Sequence, residues 1–117
     1  MSEGLITINT DQIEWQDDPY FKLPKGVQMK LLRYDPATGR REMIVRFPDG
    51  YVEPRHVHAA THSVVVLRGQ QIVEGVVLNP GDYCHGAANF EHGPFEYRGQ
   101  DGCVLFAVFT GDPEHKY

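Results

Sequence analysis

Five of the six histidines fall between positions 56 and 92, and their spacing suits metal ligation. His56 and His58 stand two apart. Alternate side chains of a strand share a face, so both imidazoles point the same way. Such a pair is a ready clamp for a borderline metal. His62 follows the short Ala59-Ala60 turn and opens the next run of apolar residues. His92 comes 34 residues after His58, so it arrives from another strand. Neutral imidazoles accept Fe, Zn, Ni, Mn and Cu alike, so ligand type leaves the divalent ion open.

The elements that must hold these residues read as all-β. Turn signals recur at Asp35-Pro36-Ala37-Thr38-Gly39, Pro48-Asp49-Gly50, Glu74-Gly75, Asn79-Pro80-Gly81-Asp82, Gly99-Gln100-Asp101-Gly102 and Gly111-Asp112-Pro113. Runs rich in Val, Ile, Phe and Tyr lie between them, the pattern of a sandwich or barrel. The expected strands are Leu5–Ile8, Val27–Tyr34, Glu42–Phe47, Val52–Val57, Ser63–Leu67, Gln70–Val73, Val76–Leu78, Asp82–Cys84 and Cys103–Thr110. Met29 to Phe47 forms a hairpin over the Asp35–Gly39 turn. No stretch carries sustained helical periodicity with caps. Residues 1–117 read as one domain, with a core at about 27–111 and an N-terminal lead-in at 1–26. Within that lead-in, residues 11–26 are expected to pack across the barrel or onto a partner.

The histidine pattern resembles the cupin superfamily. Its first motif is a glycine, five residues, His-x-His, three residues, a glutamate, six residues and a glycine. Gly50, His56, His58, His62 and Gly69 match every spacing, with His62 in the glutamate place. The second motif runs from a glycine through a proline and a glycine to a histidine. It reads Gly81, Ala87, Asn89, His92, with Asn89 in the second glycine place. Asn tolerates the left-handed backbone that a glycine adopts there. The resemblance spans residues 40–110 and implies a jelly-roll β-barrel of the RmlC-like type, with one metal held by His56, His58, His62 and His92. His62 is either the fourth ligand or held just outside the shell. Without a carboxylate the ion keeps its full double charge and favours an anionic ligand such as an enolate.

The stretches Lys30–Gly39 and Arg46–Gly50, leading into His56-Val57-His58, look like the small cupins grouped with anti-sigma-factor domains. They also resemble the iron dioxygenases that cleave β-diketones or hydroxyacetophenones. That resemblance implies an iron(II) dioxygenase acting on a small dicarbonyl or hydroxyketone. Some of those enzymes use a glutamate from the strand after the first motif, and Glu74 could fill that place. The alternative is a non-catalytic cupin that senses or binds a metal or small ligand.

Other residues are candidates for the surroundings. A ligating imidazole commonly passes its second ring proton to a carboxylate or a carbonyl, and Glu53, Glu74, Glu91 and Glu96 are the candidate carboxylates. His85 faces into the barrel with Tyr83 on one strand parity and out on the other. Arg46, like Arg55, flanks the first motif and could fix a substrate carboxylate if it lines the barrel mouth. Phe47, Phe90, Phe95, Tyr97, Phe106 and Phe109 serve as core, pocket lining or both. His115 reads as an exposed tail residue.

The net charge is −5, and no Lys/Arg cluster offers phosphates a basic face, which argues against nucleic-acid binding. The longest apolar runs, such as Val64–Leu67, are too short for a bilayer, and Met1–Gly4 shows no basic stretch before an apolar core, so no secretory signal is expected. Cys84 and Cys103 read as two reduced, half-buried thiols. The expectation is a cytoplasmic homodimer acting on a small molecule.

Overall fold

Alternation with a period of two builds the central strands. In Arg41–Phe47 and Cys103–Phe109 every odd-numbered residue is buried and every even-numbered one is half-exposed. A strand with one face in a core and one toward solvent reads this way. The computed structural model describes residues 4–17 and 25–111. Among these the strands are β1 (Gln28–Tyr34), β2 (Arg41–Phe47), β3 (Val52–Glu53), β4 (His62–Arg68), β5 (Gln70–Val73), β6 (Val76–Leu78), β7 (Tyr83–Gly86), β8 (Phe95–Arg98) and β9 (Cys103–Phe109).

They form two antiparallel sheets, one ordered β1-β2-β9-β4-β7 and the other β3-β8-β5-β6. The core lies between them. Met29, Met43, Val45, Val66, Tyr97 and Leu105 are among its buried members, and Tyr97 stacks flat on Phe47 with ring centroids 3.7 Å apart. Gly69 alone separates β4 in one sheet from β5 in the other. Its φ is 74°. A Cβ there would lie 2.8 Å from Gly102 O and would also strike Arg98 O. Only glycine fits this crossover.

Both expected hairpin turns form, over 35–39 between β1 and β2 and at Glu74-Gly75 between β5 and β6. Glu74 and Gly75 have φ of 50° and 87°, the paired positive angles of a tight hairpin turn. Four expectations need correction. Leu5–Ile8 is exposed chain rather than a strand, because no strand among the described residues takes up its hydrogen bonds. Val52–Val57 is a strand only to Glu53, since Pro54 lacks the N–H that would continue the ladder. The strand placed at Asp82–Cys84 runs from Tyr83 to Gly86. β8 was not foreseen: Phe95-Glu96-Tyr97-Arg98 lies between Gly93-Pro94 and Gly99 and carries no β-branched residue.

The described part of the lead-in packs across its own barrel. A 3-10 turn at Thr10–Gln12 is capped by Asn9. Gln16 then pairs with Met29 on β1. Trp15 lies under two cations, with Lys30 Nζ 4.7 Å and Arg46 Cζ 4.4 Å from its ring centre. Lys30 Nζ also donates to Thr10 O at 2.9 Å. Asp18 and Pro19, the Asp112-Pro113 end of the last expected turn, and His115 lie outside the described residues.

Candidate metal centre

Pro54 ends β3, and the chain pairs again two residues later. His56 N donates to His92 O at 2.9 Å, and His92 N donates to His56 O at 3.0 Å. This isolated antiparallel bridge sets the two ligand segments side by side. Asn89 N donates to His58 O at 2.7 Å, and Asn89 has φ 57°. The residue in the glycine place thus adopts the left-handed backbone that the motif needs. His62 opens β4, opposite Phe109 on β9 and Gly86 on β7.

His56, His58 and His92 are all buried and offer ligand nitrogens within 4.8 Å of one another. His56 sits 4.8 Å from His58 and 4.6 Å from His92 between ring centroids. The Nδ1 of His56 donates to Pro54 O at 2.6 Å, because a carbonyl oxygen can only accept. That bond fixes the tautomer and leaves Nε2 as the lone-pair nitrogen. The three rings are therefore a fit donor set for a divalent ion.

His62 stands beside this triad, with its ring 4.9 Å from His58 and 5.2 Å from His92. It packs face to face with Phe109 at 5.4 Å. On its other side a Cβ at Gly86 would lie 2.8 Å from His62 Nε2 and 2.9 Å from Nδ1, so the imidazole lies over a bare backbone. Its buried Nδ1 has no hydrogen-bond partner among the described residues. Burial first, and then His58 and His92, lower its pKa from the usual 6.5 to about 3. The ring is neutral and its lone pair is available.

Two cavities meet at the histidines. The inner one lies within the barrel, is about 40 Å³ in volume, and reaches His56, His58 and His62. That is room for a water or two. Its polar floor is Glu53, Gln71 and Tyr97, amid Val45, Val64, Leu105 and other apolar side chains. The outer cleft, of about 320 Å³, is lined by Val73, Cys84, Ala87, Phe90 and Phe95, with His62, His92, Glu74 and His85 at its polar points.

The remaining candidates separate clearly. Glu74 lies in the β5–β6 turn and accepts from Gly93 N at 3.2 Å; it borders the outer cleft and is not among the grouped ligands. His85 takes the outward parity with Tyr83, while Cys84 is half-buried between them. Its Nδ1 lies 2.9 Å from Ser63 Oγ, which also accepts from Tyr83 OH at 3.1 Å. Arg46 is not in the barrel mouth. Val45 and Phe47 take the inward parity, so Arg46 faces outward, bonded to Gln28 and lying against Trp15. Arg55 pairs with Glu91 at 2.8 Å on the surface, and Glu96 pairs with Arg98 at 3.0 Å.

Of the four carboxylates considered as histidine partners, Glu53 is the buried one, with Oε2 3.9 Å from His56 Nε2. The polar floor of the inner cavity was missed as a unit. Its signal was present as Glu53, Gln71 and Tyr97, polar residues at inward positions of short strands. Phe47, Phe95 and Phe109 are core, Phe90 is exposed at the cleft, and Phe106 faces outward. Both cysteines are free thiols; Cys84 is half-buried as expected, but Cys103 is fully buried.

Solved structures share this fold. A putative acetylacetone dioxygenase from Methylibium petroleiphilum is 23% identical, with a TM-score of 0.67 over 94% of this chain and 81% of its own. KdgF from a Halomonas species is 25% identical, with a TM-score of 0.66 over 88% and 90%. The Rhodobacter sphaeroides SigE complex with anti-sigma ChrR matches at 23% identity and a TM-score of 0.64, over 86% of this chain and 51% of that one. Among curated proteins, Arabidopsis thaliana DNA damage-repair/toleration protein DRT102 is 37% identical over 73 residues, which are 57% of this chain and 22% of that protein. The model of the ChrR cupin-like domain matches residues 3–111, nearly the whole chain, and the chain belongs to that cupin family.

Proposed function

We propose that this cupin binds one divalent metal and works as a non-haem iron(II)-type dioxygenase that cleaves a small dicarbonyl or hydroxyketone. The observation that carries the reading is the position of His56, His58 and His92, buried between a small inner cavity and a larger outer cleft. Iron(II) held there supplies Lewis acidity toward an enolisable substrate and a redox-active ion for dioxygen. The chain supplies the rest. Val73, Phe90 and Phe95 offer apolar contact to a carbon skeleton. A cleft of about 320 Å³ is at the small end of ligand sites. The fold likeness to acetylacetone dioxygenases names the first substrate class to try.

The test is to load the protein with iron(II) without oxygen, measure bound iron, and then add acetylacetone with oxygen. Expected is oxygen uptake in step with diketone loss. Full iron loading with no oxygen-dependent loss of any of several dicarbonyls and hydroxyketones would reject catalysis.

A second reading is a non-catalytic metal- or ligand-binding cupin. It is supported by the His62 ring beside the triad, since four imidazoles can close a tetrahedral shell around zinc as in structural sites. A cobalt-loaded protein discriminates: a small chelating ligand shifts the visible spectrum of an open centre and leaves a closed one unchanged. On either reading we take the working form to be a cytoplasmic homodimer that meets a small molecule rather than nucleic acid or a membrane. No helix among the described residues is long and apolar enough to cross a bilayer. Light scattering at the mass of a single chain would reject the dimer.

A further inference from the structure

We infer that Glu53 supplies the negative charge of the metal centre, from the inner side, in place of the carboxylate that the cupin motif puts where this chain has His62. The inference rests on the metal-binding reading above. Glu53 ends β3 at an inward position, while its neighbour Val52 is exposed. It is only 2% exposed. Its Oε2 lies 3.9 Å from His56 Nε2, the nitrogen that the Pro54 bond leaves as the ring's lone-pair atom. The same carboxylate lines the inner cavity together with His56, His58 and His62.

The other carboxylate oxygen is anchored. Tyr97 OH donates to Glu53 Oε1 at 2.8 Å. Tyr97 is itself held by its stack on Phe47 and by Gln71 Nε2, which donates to its hydroxyl at 3.4 Å. Anchoring Oε1 turns Oε2 toward His56. A shell of neutral imidazoles leaves a divalent ion with its whole charge inside an apolar barrel, which is costly without a counter-charge. A buried carboxylate is equally costly without a cation. With Oε2 3.9 Å from His56 Nε2, an ion held at that nitrogen and the carboxylate would offset each other's cost. Glu53 is thus a positioning and charge-balancing residue, and its location beneath the histidines keeps the outer cleft open for a ligand.

The experiment compares cobalt(II) affinity and visible spectrum in the wild type, Glu53→Gln, His62→Glu and the double variant, with the metal-free melting temperature of each. Removing such a partner typically lowers metal affinity about 10–100-fold, and that loss is expected for Glu53→Gln. The double variant, which restores a carboxylate at the motif position, is expected to recover most of it. His62→Glu alone is expected to change affinity by less than about tenfold, because the centre already has its charge. Should Glu53→Gln not fold, His62→Glu decides alone: a gain of tenfold or more would show an uncompensated centre and overturn the inference. Wild-type affinity in Glu53→Gln would overturn it too and leave the metal site standing. A wild type that binds no cobalt would overturn both.

Discussion

His56 and His92 exchange both backbone hydrogen bonds, at 2.9 and 3.0 Å. The pairing of two ligand-bearing residues so far apart in sequence is done by the main chain. This main-chain pairing needs no ion, so metal binding is expected not to be coupled to folding of the barrel. A preformed site of this kind should retain its fold when its ligands are removed.

That leads to the first prediction. His56→Ala with His58→Ala should reduce the bound metal from near one ion per chain to background by mass spectrometry. The circular dichroism of the double variant should stay that of the wild-type barrel. Loss of metal together with loss of the β spectrum would mean instead that the ion holds the mouth together.

Gly86 sets a steric test for His62. A methyl at position 86 would intrude on the imidazole, 2.8 Å from Nε2 and 2.9 Å from Nδ1. Gly86→Ala should destabilise the protein by about 1–3 kcal/mol in urea unfolding, the usual cost of overpacking. It should also alter the visible spectrum of the cobalt form. In a His62→Ala background the stability cost should disappear, since the clashing ring is gone.

Tyr97 should report on the buried polar floor. Tyr97→Phe keeps the stack on Phe47 but removes the donor to Glu53 Oε1. The carboxylate loses a buried hydrogen bond, and unfolding free energy should fall by about 1–3 kcal/mol. A change below the error of urea titration would mean that another group takes over the donation.

Cys103 gives a pH dependence with a definite sign. Burial raises its pKa from 9.0 to about 12. A raised pKa means that the folded state holds its proton longer than the unfolded chain. The associated stability is therefore fully present below pH 9 and is lost as pH rises toward 12, by up to about 1.4 kcal/mol per pH unit. Cys103→Ala should flatten that limb of a stability-against-pH curve. Burial keeps the Cys103 thiol protonated and out of reach at neutral pH, so iodoacetamide should label half-buried Cys84 first and Cys103 only on unfolding.

The all-β class, both tight hairpin turns and the histidine cluster were legible because each depends on local rules. Period-two alternation marks β2 and β9, and Glu74-Gly75 marks a turn by composition alone. Motif spacing pointed to His56, His58 and His92, which the fold brings together. What could not be read was anything set by which face a residue takes. Arg46 flanks the motif in sequence yet lies outside the barrel under the lead-in, because strand parity puts Val45 and Phe47 inward. His85 is outward for the same reason. Glu53 was one of four equivalent carboxylates until β3 gave it the inward position. Leu5–Ile8 has a strand-like composition, but composition does not provide the neighbour that a strand requires.

The single-residue crossover at Gly69 has a consequence for cooperativity. With no slack between β4 and β5, one sheet cannot open without pulling on the other. His62 begins β4, and Gln71 lies two residues beyond the crossing. The histidine mouth and the polar floor thus belong to one unfolding unit, and their amide protons should exchange together, at the rate of the whole barrel rather than that of a loop.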